Sequence, residues 1–270
     1  MTIKEWIDEA TAVLSGSDII TARLDVIVLA QDELQKDKAW ILASPSYELP
    51  DATTNKLNLL IKRRSQHEPL AYIRGKSEFY GREFKVSEHT LEPRPETETL
   101  IELLKNLPEE FSSIIDVGTG SGAIAISAKF LYPNCKVIAI DIDKKCIQVA
   151  KQNALKHNVS IKFLEGNLLK PVNYKLERWI TCANLPYVPD SHTINSSAMF
   201  EPAHAIFGGE DGLDYYRQLF GQLIDFNHKP LYILTESLPF QHDGLVTIAK
   251  QSGYSLYKED DFIQVFRYTN

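Results

Sequence analysis

One short segment constrains this chain more than any other: Asp116-Val117-Gly118-Thr119-Gly120-Ser121-Gly122, which follows the apolar run Ser113-Ile114-Ile115-Asp116-Val117 and precedes the apolar stretch 123–130. Apolar runs this short and rich in β-branched residues read as strands buried on both faces, and the stretch that follows has the length of a helix. Glycines between a strand and a helix let the backbone turn sharply and leave it bare toward whatever lies at the strand's carboxyl end. A second apolar run, Lys136-Val137-Ile138-Ala139-Ile140-Asp141, ends in an aspartate at the spacing of about 20 residues that a βαβ unit gives. Strand, turn, helix and strand repeat further on, with a helix over 144–157 and strands over 160–164 and 178–183. The alternation predicts a parallel sheet covered by helices on both faces. Runs 231–235 and 262–266 read as closing strands.

The turn is a GxGxG pattern and lacks the further spaced glycine of the dinucleotide fingerprint. It favours a ligand without a pyrophosphate. S-adenosyl-L-methionine fits, because its sulfonium and amino acid portion need close backbone rather than a phosphate cradle. Gly118, Thr119, Gly120, Ser121 and Gly122 are therefore the candidate cofactor turn, and Asp141 the acceptor for the ribose hydroxyls. Asp143 reads as a helix cap.

Thr181-Cys182-Ala183-Asn184-Leu185-Pro186-Tyr187 puts an asparagine and a tyrosine just past another apolar strand, on the same sheet edge as the glycine turn. An amide or exocyclic amine nitrogen is a weak nucleophile, its lone pair being delocalised, so an enzyme must orient it toward an electrophilic methyl. The Asn184 side-chain oxygen and the Leu185 carbonyl can each accept one hydrogen of an NH₂ group and aim its lone pair. Pro186 fixes the backbone path, and the Tyr187 ring can flank a planar substrate. This tetrapeptide suits a glutamine amide and a nucleobase amine equally.

Ahead of these segments the pattern differs. Residues 3–14, 20–34 and 54–66 read as helices, the second capped by Thr21 or Asp18, and the run around Glu78-Phe79-Tyr80-Gly81-Arg82 reads as a β-hairpin followed by a proline-punctuated loop and a helix over 97–106. With 270 residues the expected division is a helical domain over 1–75, a hairpin and linker over 76–97, and an α/β domain over 98–270.

Charge and cysteine content narrow the function classes. A net charge of −7 disfavours sequence-independent nucleic-acid binding, which needs a basic surface. The basic residues Lys62, Arg63, Arg64, Arg74, Lys76, Arg82, Lys85 and Arg94 are expected to solvate a face. Cys135, Cys146 and Cys182 lack the spacing of a zinc site or disulfide framework, so no metal is expected. No run reaches membrane-spanning length and the first residues lack a secretory pattern, so a cytoplasmic protein with no membrane partner is expected.

Four stretches resemble the release factor glutamine methyltransferase family of the PrmC/HemK type. They are Thr21-Ala22-Arg23-Leu24-Asp25; Arg63-Arg64 with Glu68-Pro69-Leu70-Ala71-Tyr72-Ile73-Arg74-Gly75, Phe79, Gly81 and Pro93-Arg94-Pro95-Glu96-Thr97-Glu98; the glycine turn with the Asn184 loop; and Phe200-Glu201-Pro202 with Gly208-Gly209-Glu210-Asp211-Gly212-Leu213-Asp214-Tyr215-Tyr216. The resemblance spans nearly the whole chain. It implies a Rossmann-like class I S-adenosylmethionine-dependent methyltransferase fold, with a seven-stranded, mostly parallel sheet and a small N-terminal helical domain that recognises the substrate.

The implied reaction methylates the GGQ-motif glutamine of class 1 peptide chain release factors and yields S-adenosyl-L-homocysteine. The implied catalytic residues are Asn184, Pro186 and Tyr187, with Leu185 completing the substrate pocket. Asn167 and Leu168 stand at the adenine end, and Asn184 also borders the cofactor. A monomer with no direct nucleic-acid partner is expected.

Departures from the family pattern are Leu185 for a proline, Asn167 for an acidic residue, Leu168 for an aromatic or larger apolar one, Glu92 for an apolar one, and the run 235–241, expected to leave the central site untouched. Arg94, Glu96 and Glu98 are expected to lock the interdomain loop. Two other readings stay open on the residues alone: an adenine amino-methyltransferase acting on nucleic acid, and a cofactor-binding regulatory protein weakened in catalysis.

Overall fold

A computed structural model describes residues 1–172 and 176–269. The chain divides into two compact units, one formed by 1–75 with 195–200 and the other by 76–194 with 201–270.

The first unit is helical: α1 (Ile3–Ser15), α2 (Ala22–Leu34), α3 (Lys38–Ala43), α4 (Asp51–Ser65) and α5 (Leu70–Arg74). Thr2 and Glu5 form a capping box at the start of α1, each side chain bonding the other's backbone N–H. The expected start of the second helix is corrected: α2 begins at Ala22, Thr21 makes no side-chain capping bond, and Ile20 is fully exposed outside it. Helices α3 and α5, six and five residues long, are too short to show a periodicity and were not expected. Trp6, Leu14, Val26, Leu29 and Leu57 fill the core of this unit. Buried Asp25 accepts from Arg64 Nε at 2.7 Å, and Arg64 also donates to the Glu68 carbonyl at 3.1 Å and to Ser197 at 3.3 Å. Two of the motif stretches thus meet in one buried ion pair.

The expectation that the basic residues form a solvated face is corrected. Arg63 pairs with Glu68, Arg74 with Asp32, Lys76 with Glu83 and Arg94 with Glu201, while Arg82 lies over the Phe130 ring. Of the eight, Arg64 is buried, and these five, though at least partly exposed, each sit against a neighbouring group rather than in solvent alone.

The second unit opens with the hairpin β1 (Lys76–Phe79) and β2 (Arg82–Lys85). Its turn, Tyr80-Gly81, has both residues at positive φ, the geometry that matches the twist of a two-residue hairpin. A 3₁₀ turn, Pro95–Thr97, leads into α6 (Glu98–Lys105). Then follow β3 (Ser113–Val117), α7 (Ala123–Leu131), β4 (Lys136–Asp141), α8 (Lys144–Lys156), β5 (Lys162–Glu165), β6 (Trp179–Ala183), α9 (Ala203–Ile206), α10 (Asp214–Leu223), β7 (Tyr232–Glu236), α11 (His242–Gln251), β8 (Tyr254–Asp260) and β9 (Ile263–Tyr268). Asp143 caps α8, accepting from the Lys145 N–H.

The seven strands β3 to β9 form one sheet in the order β5-β4-β3-β6-β7-β9-β8, in which β9 alone runs against the other six. Strand β8 was not expected: its residues Ser255 to Asp260 are at least partly exposed on the sheet edge, so the apolar pattern of a central strand is missing. Strands β3, β6 and β7 are buried along their whole length. One sheet face packs on α6 and α7 through Leu100, Leu104, Ala125 and Ile126, and the other on α10 and α11 through Tyr216, Leu219, Phe220 and Leu245.

The strand order reverses at β3. From β3 the chain steps outward to β4 and β5, then returns to the other side of β3 as β6. That reversal opens a crevice beyond the carboxyl ends of β3 and β6, where open α/β sheets bind their ligands.

Candidate active site

Strand register puts the site together. Val117 pairs with Ala183 across β3 and β6, so the next residues, Gly118 and Asn184, emerge side by side; Val117 also pairs with Ile140, which brings Asp141 to the same edge. The crevice there encloses about 380 Å³, within the range of small-molecule sites. Gly118, Thr119, Gly120, Ser121, Asp141, Asn167, Leu168, Asn184, Leu185 and Pro186 all line it.

Two predicted residues do not. Gly122 is absent from the lining; it sits at φ +84°, and a Cβ there would lie 3.1 Å from the Ala150 Cβ, so it is a glycine because α7 and α8 pack closely. Tyr187 does not line the cavity either. Its half-buried ring turns its hydroxyl to Glu236, donating to Oε1 at 3.0 Å. Burial foremost, and the Glu236 carboxylate, push that hydroxyl's pKa upward, so it stays a donor.

The glycine turn is held from below and open above. Asp116 Oδ2 accepts from the Thr119 hydroxyl at 2.6 Å and from the Ala125 N–H at 3.1 Å, and burial pushes the carboxyl up to about 7. Gly118 and Thr119 donate to the Ile140 carbonyl. Gly118 and Gly120 both have positive φ, and a Cβ on Gly120 would meet nothing within 4 Å. Asp141 accepts the Gly120 N–H through Oδ2 and the Asp143 N–H through Oδ1, each at 2.9 Å. Burial raises its pKa and these two amides oppose the rise. A carboxylate has about four acceptor positions, so lone pairs remain for two ribose hydroxyls. Asn167 and Leu168, the latter at φ +52°, follow β5 at the far end of the cavity. Bare turn, buried acceptor and apolar wall fit S-adenosyl-L-methionine.

The Asn184 loop is buttressed on every side. The Asn184 amide nitrogen donates to Thr97 Oγ1 at 3.1 Å. Leu185, 3% exposed, fits its side chain against Gly118, where a Cβ would meet Leu185 Cδ2 at 3.1 Å; its N–H donates to the Tyr216 hydroxyl. Gln241 Nε2 donates to the Tyr187 carbonyl at 2.7 Å and to the Asp211 carbonyl. Gly208 and Gly212 lie so close to the loop that a Cβ would come within 2.3 Å of the Pro186 carbonyl and 2.0 Å of the Tyr187 carbonyl, respectively. These glycines of the fourth motif stretch therefore shape the Asn184 loop.

The expectation that the run 235–241 leaves the site untouched is corrected, since Glu236 and Gln241 both reach the loop: β7 runs parallel beside β6, and Ala183 pairs with Thr235. Arg94 and Glu98 stay within the second unit, Arg94 donating to Glu201 at 2.5 Å and Glu98 accepting the Tyr80 N–H at 2.7 Å. Arg94, Thr97 and His204 line the cavity and were not singled out as ligand contacts; they come from segments outside the strand–turn pattern. Glu92, like Arg94, borders it and accepts from Ser77 at 3.1 Å, so an acidic residue is held there by a hydroxyl rather than packed in the core. Among the described residues no cluster of His, Cys, Asp or Glu suits a metal ion, and no helix is long and apolar enough to cross a membrane.

Comparison with known proteins agrees with this geometry. Residues 5–75 match the PrmC N-terminal domain model and 96–205 the methyltransferase small domain model. The release factor glutamine methyltransferase of Koribacter versatilis is 36% identical, covering 83% of this chain and 81% of its own length. Among solved structures, the hMettl16 catalytic domain in complex with MAT2A 3′UTR hairpin 1 has a TM-score of 0.59 at 15% identity, covering 91% of each chain. The T. thermophilus 16S rRNA methyltransferase RsmC in complex with AdoMet and guanosine has a TM-score of 0.52 at 15% identity, covering 72% of this chain and 50% of its own. At such identities the likeness is one of fold. Fold and cavity together define a class I methyltransferase that uses S-adenosyl-L-methionine. Within that class the chain belongs to the release factor glutamine methyltransferase family.

Proposed function

We propose that this protein transfers a methyl group from S-adenosyl-L-methionine to the side-chain amide nitrogen of the GGQ-motif glutamine in class 1 release factors. The observation that carries the reading is the placement of Asn184 and Leu185 next to Gly118 at the strand-order reversal, in a chain of this family. Gly118, Thr119, Gly120 and Ser121 admit the cofactor, Asp141 receives its ribose, and Asn167 with Leu168 borders its adenine. The bound cofactor supplies an electrophilic methyl on a sulfonium.

Asn184 Oδ1 and the Leu185 carbonyl each accept one N–H of the substrate amide, which turns the nitrogen lone pair toward that methyl. The N–CH₃ bond forms as the S–CH₃ bond breaks, and the proton that the alkylated nitrogen sheds passes to solvent. No side chain need remove a proton first. Pro186 fixes the loop, while Tyr187, held by Glu236 and Gln241, positions it from behind. The helical unit 1–75 recognises the release factor, and the protein works as a cytoplasmic monomer.

The test incubates the protein with methyl-labelled cofactor and, separately, a release factor and ribosomal RNA. Label on the GGQ glutamine is expected; label on RNA adenine instead would replace this reading with nucleic-acid methylation. Asp141→Ala is expected to weaken S-adenosylhomocysteine binding by about 10²-fold, read by calorimetric titration, because charge-assisted hydrogen bonds are lost and two backbone amides lose their acceptor. Unchanged affinity would remove Asp141 from the cofactor site.

A further inference from the structure

The Asn184 carboxamide offers the cavity either an oxygen, which accepts, or an NH₂, which donates; a half-turn about its last side-chain bond exchanges them. Only the first suits an incoming NH₂ group. What fixes the choice must lie on the side away from the substrate, and there the structure gathers three polar side chains, Thr97, Glu236 and Tyr187. Asn184 Nδ2 faces Thr97 Oγ1 at 3.1 Å. Thr97 is 4% exposed and sits where the 3₁₀ turn meets α6, on the sheet face that carries Asn184. Beyond it lies Glu236, 1% exposed, at the end of β7 and one step past the Ala183–Thr235 pair, which makes it the neighbour of Asn184 across the sheet. Tyr187 donates to the same carboxylate at 3.0 Å.

We propose that Glu236 is a positioning residue that sets the hydrogen-bond polarity of the site, acting on the Asn184 amide nitrogen both directly and through Thr97 to hold Asn184 with its oxygen toward the substrate amide. An ionised carboxylate only accepts. Glu236 Oε2 is buried and otherwise without a donor, so the Thr97 hydroxyl turns its one proton to that carboxylate and keeps its lone pairs; those lone pairs accept from Asn184 Nδ2, and Oδ1 is what remains for the cavity. Tyr187 is drawn to the same carboxylate, which ties both ends of the substrate loop to one buried charge. Burial raises the Glu236 pKa, and hydrogen bonding from Thr97, Tyr187 and Asn184 works against that rise and favours the charged form. Two alternatives would leave Glu236 without this function: a residue that only packs, or one that only pins Tyr187. Neither would make the site sensitive to the donor-acceptor character of position 236 at constant size.

This inference rests on the proposed amide methylation, and its test separates the two. Wild type, Glu236→Gln, Thr97→Val, Thr97→Ser and the double variant E236Q/T97V are compared in single-turnover methyl transfer to a release factor, alongside titration with S-adenosylhomocysteine. Glutamine keeps the shape of glutamate but can donate, so the Thr97 hydroxyl can reverse and Asn184 is released to present NH₂. Expected are a fall of about 30-fold or more in the transfer rate of E236Q, cofactor affinity within about twofold, and little change in half-saturating substrate. T97V should fall comparably and T97S recover most of that loss, since serine keeps the hydroxyl.

Because the two residues act in one chain, the double variant should lose little more than the worse single; independent structural damage would multiply instead. Should E236Q fail to fold, the threonine pair carries the same comparison. Wild-type transfer with E236Q or T97V within about threefold of it overturns the polarity mechanism alone, as does a fully multiplicative double variant. No transfer by wild type to the glutamine overturns the functional reading and this inference with it.

Discussion

Asn184→Ala is expected to lower methyl transfer by about 10²- to 10³-fold while leaving S-adenosylhomocysteine affinity within about twofold. In the proposed reaction the removed oxygen is one of two acceptors that aim the substrate nitrogen, and losing a preorganised hydrogen bond to the reacting group characteristically costs that much rate. The fold should be spared. Asn184 lies past the end of β6, is only partly buried, and packs no side chain into either sheet core. On the proposed reading, cofactor affinity rests mainly on the glycine turn and Asp141, which follow β3 and end β4 rather than β6. Stopped or quenched single turnovers with saturating release factor check the rate, and calorimetry checks binding. A normal rate would sink the assignment of the substrate amide to this loop.

The second large effect is expected at a residue with no chemistry at all. Gly212→Ala should destabilise the protein by about 3 kcal/mol, combining a strained left-handed backbone with loss of a buried hydrogen bond, and should abolish most transfer activity. Gly212 has φ +78°, and its added methyl would lie 2.0 Å from the Tyr187 carbonyl and 2.3 Å from Gln241 Nε2, the two atoms that bond to fasten the substrate loop. Something must move, and the backbone of 187 cannot move without carrying Pro186 and Leu185 along. The control is Gly221→Ala on the exposed side of α10, where a Cβ meets nothing within 4 Å. It should stabilise by about 0.5–1 kcal/mol, the helical advantage of alanine over glycine, with activity unchanged. Urea unfolding of both variants measures the contrast; equal midpoints would mean that the loop tolerates the methyl.

Much of the cofactor side of the site was legible because it is local. A strand, a glycine turn and a strand-terminal aspartate lie within 26 residues of one another in the chain, 116 to 141, and strand pairing turns that spacing into adjacency. The Asn184 loop was legible for the same reason, as a turn after an apolar strand. Gly122 was misread because a glycine needed for helix packing and one needed for ligand approach look alike in a sequence; only the Ala150 methyl beside it tells them apart. The basic run was misread because charges do not reveal their partners: Arg64 and Asp25 are 39 residues apart and buried together.

The sequence by itself determined the alternation of strands and helices from β3 to β6, the bare glycine turn, and a loop with groups able to orient a planar NH₂ group, since these follow from short-range periodicity and backbone chemistry; the short helices α3 and α5 and the edge strand β8 left no such pattern. Only the tertiary structure decided what stands behind those residues. Glu236 comes from 52 positions beyond Asn184 and Thr97 from 87 before it, and they meet because β7 lies beside β6 and α6 caps the same sheet face. In the proposed mechanism, the atom of Asn184 that faces the substrate is set by that meeting, and no local pattern encodes it.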